Sequence, residues 1–143
     1  MNRFVIDASI AVAWCFEDQK APEAERVLDR MAAGGEALAP AIWPFEVANA
    51  LRSAERSKRL TPVQTARFLE RLLGFGILLE APQMASVFDQ VLSRARAHRL
   101  TVYDAAYLEL AVRTGLPLAT LDGALRKAAR KLGVTLVEGH AVQ

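Results

Sequence analysis

Asp7, Glu46, Asp104 and Asp122 each fall where a predicted strand gives way to a loop or helix. Acids far apart in sequence but repeated at the same end of successive strands converge at one edge of a parallel sheet, where α/β folds hold their ligands. Two carboxylates about 4 Å apart repel by roughly 4 kcal/mol at an effective dielectric of 20, so four in one pocket call for a cation. Mg²⁺ or Mn²⁺ suits them, because hard cations prefer oxygen ligands and keep several waters. Zinc does not, since Cys15 and two histidines, His98 and His140, show none of the spacing of zinc sites. The same scarcity of histidine disfavours a metal-free nuclease that uses two imidazoles as acid and base.

Taken singly, each acid has an ordinary structural explanation. Asp7 would serve as a helix cap, Glu46 as a first-turn residue favoured by the helix dipole, Asp104 as an N-cap and Asp122 as a turn residue. Only their coincidence at one sheet edge argues for chemistry, and that coincidence depends on the elements between them.

A Phe-Val-Ile strand over residues 3–7 passes into an apolar helix over 8–16, which Ser9 helps to begin. An amphipathic helix over 21–33 closes at Gly34-Gly35, and a second strand follows over 36–39. Trp43-Pro44 opens a long helix to about residue 58, with Glu46 in its first turns. Thr61 as N-cap and Pro62 at the first helical position start a helix to about 73. The remaining pattern predicts a strand over 77–80, helices over 84–98 and 104–114, a strand over 116–120, a helix over 121–132 and a fifth strand over 134–137. Alternation of this kind implies parallel crossovers and a three-layer α/β/α sandwich around a central parallel sheet of about five strands.

The length of 143 residues fits a single domain over 1–143, and a core at this size buries about two thirds of the surface exposed by the unfolded chain. With one cysteine, Cys15, in an apolar run, no internal disulfide forms and a reducing compartment is expected. Asp7 interrupts the first apolar run and no stretch reaches the roughly 18 apolar residues of a membrane span, so a soluble, cytoplasmic protein is expected. Eighteen Lys and Arg against 16 Asp and Glu leave a net charge of +2, too small to imply nucleic acid on its own. If four acids gather in one pocket, however, the rest of the surface is more basic, through Arg52/Arg56/Lys58/Arg59, Arg94/Arg96/His98/Arg99 and Arg126/Lys127/Arg130/Lys131. Trp14, Trp43 and Phe45 are expected in the core.

Val5-Ile6-Asp7-Ala8-Ser9, Pro44-Phe45-Glu46-Val47-Ala48-Asn49-Ala50-Leu51, Tyr103-Asp104-Ala105-Ala106-Tyr107 and Ala119-Thr120-Leu121-Asp122 together resemble the successive motifs of PIN-domain ribonucleases. The likeness is greatest to the VapC-like toxins of toxin-antitoxin pairs, and it runs through essentially the whole chain in order. It implies a Mg²⁺- or Mn²⁺-dependent endoribonuclease, an RNA substrate, a cognate antitoxin and a homodimer. Carried over residue by residue, Asp7, Glu46, Asp104 and Asp122 are the metal-site acids, while Ser9 and Thr120 match positions whose hydroxyls assist metal or substrate. Some relatives place a further carboxylate a few residues after the last acid, where this chain has Gly123, Ala124 and Arg126, so Asp122 is the ligand expected to act through water.

Hydrolysis by a metal-activated water, with 5′-phosphate and 3′-hydroxyl products, is the reaction that the resemblance implies. Arg52 and Arg56, downstream of Glu46 on the same predicted helix, are candidates to hold substrate phosphates. Tyr103 and Tyr107 are candidates for stacking a base, against the commoner fate of packed aromatics. Two competing readings are a PIN fold that binds without catalysis and another Mg²⁺-dependent phosphohydrolase. Ser9 stands where haloacid-dehalogenase-like enzymes carry a second Asp, which opposes phosphoaspartate chemistry.

Overall fold

The computed structural model describes residues 2–16, 18 and 21–138. In chain order the elements are β1 (Arg3–Ile6), α1 (Ala8–Cys15), α2 (Pro22–Ala32), β2 (Glu36–Pro40), α3 (Trp43–Arg56), α4 (Pro62–Leu73), β3 (Leu78–Glu80), α5 (Met84–Ser86), α6 (Leu92–His98), α7 (Val102–Thr114), β4 (Leu118–Ala119) and α8 (Gly123–Lys131). A π-helical stretch, Val87–Val91, joins α5 to α6, so the predicted helix over 84–98 is one run with a wider middle turn.

The four strands form one parallel sheet in the order β3-β2-β1-β4. Phe4, Val5 and Ile6 are consecutive and fully buried, which requires helices on both faces of β1. On one face α7 packs against β1 and β2, and α1 packs against α2 and α3. The core therefore sits around β1, with Tyr107, Leu108 and Leu110 of α7 and Ile10 of α1 among its buried side chains. The α/β fold expected from the alternating pattern is present.

The fifth strand is shorter than expected. Leu136 makes a single parallel bridge to Leu118, flanked by Leu118 N–H to Thr135 carbonyl at 2.8 Å and Val137 N–H to Leu118 carbonyl at 3.0 Å. β4 has only two residues, so it cannot support a longer ladder beside it.

Local signals worked well where the cap was complete. Thr61 accepts from Gln64 N–H at 3.2 Å and Gln64 Oε1 accepts from Thr61 N–H at 2.9 Å, a capping box with Pro62 just inside it. Gly115, at φ 70°, ends α7 in the left-handed region. Trp43 is buried and the half-buried Trp14 packs on the core, its indole N–H on the Ala24 carbonyl at 2.7 Å. Phe45 is the exception: 73% exposed, it faces outward from the first turn of α3 while Trp43 and Val47 face in.

Candidate functional site

Asp7 follows β1 and Thr120 follows β4, and the pairing of Ile6 with Ala119 sets them level at the same sheet edge. Helix α7 runs back to the start of β4, so its N-terminal turn, with Asp104, opens on that edge too. Glu46 lies in the first turn of α3, just beyond β2. Asp122 is the N-cap of α8.

Asp7 is 5% exposed. Its Oδ2 accepts from Ser9 Oγ at 2.7 Å and from Thr120 Oγ1 at 2.6 Å, and the Ala8 amide also donates to the carboxylate. Burial holds the carboxyl above the ordinary 3.8, against the pull of those donors, and the charge of Asp122 pushes the same way as burial. Glu46 is half-buried and accepts the Tyr107 hydroxyl on Oε1 at 2.5 Å. Its carboxyl is likewise raised, chiefly by burial and further by Asp7 and Asp104, against the Tyr107 hydrogen bond. Asp104 is raised by burial and by the charges of Asp122 and Asp7. Burial and the Glu46 carboxylate drive the Tyr107 phenol upward, so it stays a hydrogen-bond donor.

These mutual effects place the four acids in one electrostatic environment. Among the described residues, no Lys or Arg forms an ion pair with any of them. The contrast is Glu109, a buried acid on the same helix as Asp104, which bonds Arg94 at 2.5 Å and lies 3.8 Å from Arg113. An acid with a structural role is neutralised here, whereas the sheet-edge acids are not.

Asp7 occupies the N-cap position of α1 without making a side-chain cap, and Ser9 bonds Asp7 instead of starting the helix. Thr101 caps α7, accepting from Asp104 N–H at 3.1 Å, so Asp104 is a first-turn residue and no N-cap. Asp122 does cap its helix, with Oδ2 accepting from Leu125 N–H at 2.9 Å.

The donor set fits a hard divalent cation in ligand type and in unneutralised charge. Among the described residues no three Asp, Glu, His or Cys side chains converge closely enough to enclose an ion by themselves. A cation at this edge would therefore be held through one or two carboxylates, with waters in its remaining positions, as Mg²⁺ commonly is. His140 lies outside the described residues.

Arg52 and Arg56 stand apart from the acids. They follow Glu46 by about 9 Å and 15 Å along α3 at the helical rise, both are exposed, and Arg52 lies 3.5 Å from Glu55. Tyr107 is fully buried, which removes it as a stacking platform, while Tyr103 is 57% exposed.

Two relationships escaped the sequence. The Tyr107 to Glu46 bond spans 61 positions, and nothing in either motif announces it. Arg126, grouped by sequence with the basic residues of α8, points inward: it donates to the Thr120 carbonyl at 3.0 Å and to Glu138 at 2.9 Å, bracing the backbone that carries Thr120.

Residues 4–131 match the PIN domain, and the chain belongs to the PIN domain family. Among individual proteins it is similar to Ribonuclease VapC3 of Pyrobaculum aerophilum, with 32% identity over 120 residues that make up 84% of this chain and 89% of that protein. The crystal structure of PAE2754, also from Pyrobaculum aerophilum, superposes with a TM-score of 0.66 over 88% of this chain and 84% of that one. At 22% identity that likeness concerns the fold alone.

Proposed function

We propose that this protein is a Mg²⁺- or Mn²⁺-dependent endoribonuclease acting as the toxin of a toxin-antitoxin pair. One observation carries the reading: Asp7, Glu46 and Asp104, raised by burial and by the charges of their acidic neighbours, share a sheet edge with Asp122, and none of the four is offset by a Lys or Arg among the described residues. Similarity to a protein named Ribonuclease VapC3 supports RNA as the substrate.

In this reading Asp7 and Asp104 hold the cation, with Asp122 contributing through water. A bound Mg²⁺ or Mn²⁺ lowers the pKa of a water and offsets charge on the scissile phosphate. Glu46 accepts a hydrogen bond from the attacking water, its carboxylate steadied by Tyr107. Ser9 and Thr120 hold Asp7 in one rotamer, and Arg52 and Arg56 attract the phosphates of the strand leading away from the cut.

The apolar surface between α3 and α4 is where an antitoxin would dock. A cavity of about 440 Å³ between α3 and α4 is lined by Trp43, Val47, Leu69, Leu72, Leu73 and others, and Leu73 is 81% exposed. An apolar segment of a partner laid in that groove would pass close to the helix that carries Glu46. The resemblance further implies a homodimer in the cytoplasm, which light scattering on the purified chain would check. No described helix is long and apolar enough to cross a membrane.

The test of catalysis is incubation of purified protein with structured RNAs and Mg²⁺ or Mn²⁺, beside Asp7→Asn. Cation-dependent cleavage lost in the variant is the expected result. Equal cleavage by both proteins would remove the assignment, and no cleavage by either would favour a PIN fold that only binds.

A further inference from the structure

Arg126 is the one cation of α8 that turns into the molecule. Lys127, Arg130 and Lys131 on the same helix are exposed, whereas the Arg126 side chain is 12% exposed, the least among the arginines that form ion pairs between described residues. Its terminal nitrogens have separate partners. Nη1 donates to the Thr120 carbonyl at 3.0 Å and Nη2 to Glu138 Oε2 at 2.9 Å.

Neither is the partner that the helix itself offers. Asp122 and Arg126 are four residues apart with the acid first, the order in which side chains at this spacing attract each other best on a helix. Their backbones are joined, Arg126 N–H reaching the Asp122 carbonyl at 2.9 Å, yet the ion pair that Arg126 makes is with Glu138. Asp122 caps α8 through the Leu125 amide and keeps its charge for the sheet edge.

Glu138 competes for Arg126 from the other side. It ends the segment bridged to β4, where Val137 N–H reaches the Leu118 carbonyl at 3.0 Å, and that pairing limits where its carboxylate can lie. The Thr120 carbonyl is the second anchor, and Thr120 is fully buried, so a donor is needed there. Two acceptors in set places hold the planar guanidinium fork in one orientation.

We infer that Glu138 is a positioning residue that holds Arg126 away from Asp122, so that the sheet-edge acids stay unneutralised. This rests on the cation reading above and adds the residue that protects it. Without the Glu138 charge, the guanidinium has one neutral acceptor left and a carboxylate one helical turn away, and it swings to Asp122.

Crystallography and titration calorimetry with MgCl₂, without RNA, test this on the full chain. In Glu138→Gln an Arg126 nitrogen should stand within about 4 Å of an Asp122 carboxylate oxygen, the reach of an ion pair. Its Kd for Mg²⁺ should rise by about tenfold, the scale on which outer-shell partners act. Glu138→Gln/Arg126→Gln should recover most of that loss, because the competing cation is gone. A purely structural Glu138 predicts the opposite, a double variant that binds no better than the single one. The Glu138 side chain is 38% exposed, so the single variant keeps the fold, and the place of Arg126 in it decides the matter if the double variant does not fold. Arg126 clear of Asp122 in Glu138→Gln, an unchanged Kd, or a double variant as weak as the single one would overturn the inference and leave the cation reading standing. A wild type that binds no Mg²⁺ would overturn both.

Discussion

Thr120 Oγ1 lies 2.6 Å from Asp7 Oδ2, joining residues 113 positions apart in sequence. The bond exists because β1 and β4 are adjacent and in register, Ile6 beside Ala119, with the Asp7 amide donating to the Ala119 carbonyl at 2.9 Å. Each strand delivers its next residue to the same point above the sheet. Asp7 is therefore rigid as well as buried, and its chemistry can be altered without loosening it.

Asp7→Asn is expected to keep the fold. The amide oxygen of Asn can still accept both hydroxyls, and the buried ionisable group, raised by burial, is replaced by a neutral one. Melting temperature without metal should be unchanged or higher, while cation-dependent cleavage falls by about a hundredfold or more, since losing a ligand exceeds the effect of losing an outer-shell partner. Scanning fluorimetry and an RNA cleavage assay on the same preparation check both; a large drop in melting temperature would make Asp7 a structural residue.

At Asp122, charge and cap can be separated. Asp122→Ala removes the acceptor for Leu125 N–H and should lower stability by about 1 kcal/mol, whereas Asp122→Asn keeps a good N-cap and should not. Both variants should cleave more slowly if the carboxylate assists the cation. Urea unfolding curves distinguish them, and full activity in Asp122→Asn would confine this residue to capping.

The protonation shifts give a sign for pH. Asp7, Glu46 and Asp104 all have folded-state carboxyls above their ordinary 3.8, 4.5 and 3.8, so the folded chain binds more protons than the unfolded chain across that window. Stability without metal should then fall as pH rises from the ordinary carboxylate values through the raised ones. The loss should be smaller in Asp104→Asn, and Mg²⁺ added at neutral pH should reverse it in the wild type. Thermal melts in chelator from pH 4 to 8 measure it; a metal-free stability that rises steadily over that range at both proteins would contradict the shared electrostatic environment.

Much of this architecture was legible in the sequence because its signals are local. Thr61 and Gln64 cap a helix through residues three apart, and the Phe-Val-Ile run of β1 announces a strand buried on both faces. The relationships that organise the sheet edge are long-range, and no window of sequence contains them. Ser9 reads locally as a helix starter, yet its hydroxyl is drawn to Asp7 and to the Leu121 amide. Phe45 reads as core because large aromatic rings are usually buried, but its place on the first turn of α3 faces outward, 73% exposed. Arg126 reads as surface charge until the Thr120 carbonyl and Glu138 come within its reach.

Arg52 and Arg56 have the least support from geometry and the simplest test. Both are exposed on α3, beyond the turn that carries Glu46, and Arg52 shares its charge with Glu55 at 3.5 Å. If they hold phosphates, each replacement by Ala should weaken RNA binding without regard to sequence and reduce the slope of log affinity against log salt by about 0.7 for a single strand. Arg56→Ala should have the larger effect, since no Asp or Glu pairs with Arg56 among the described residues. Binding is best measured in the Asp7→Asn background, where substrate survives, over a series of salt concentrations. An unchanged slope in the double variant would return both arginines to the solvated face of the helix and move the search for phosphate contacts to the exposed edge around Tyr103.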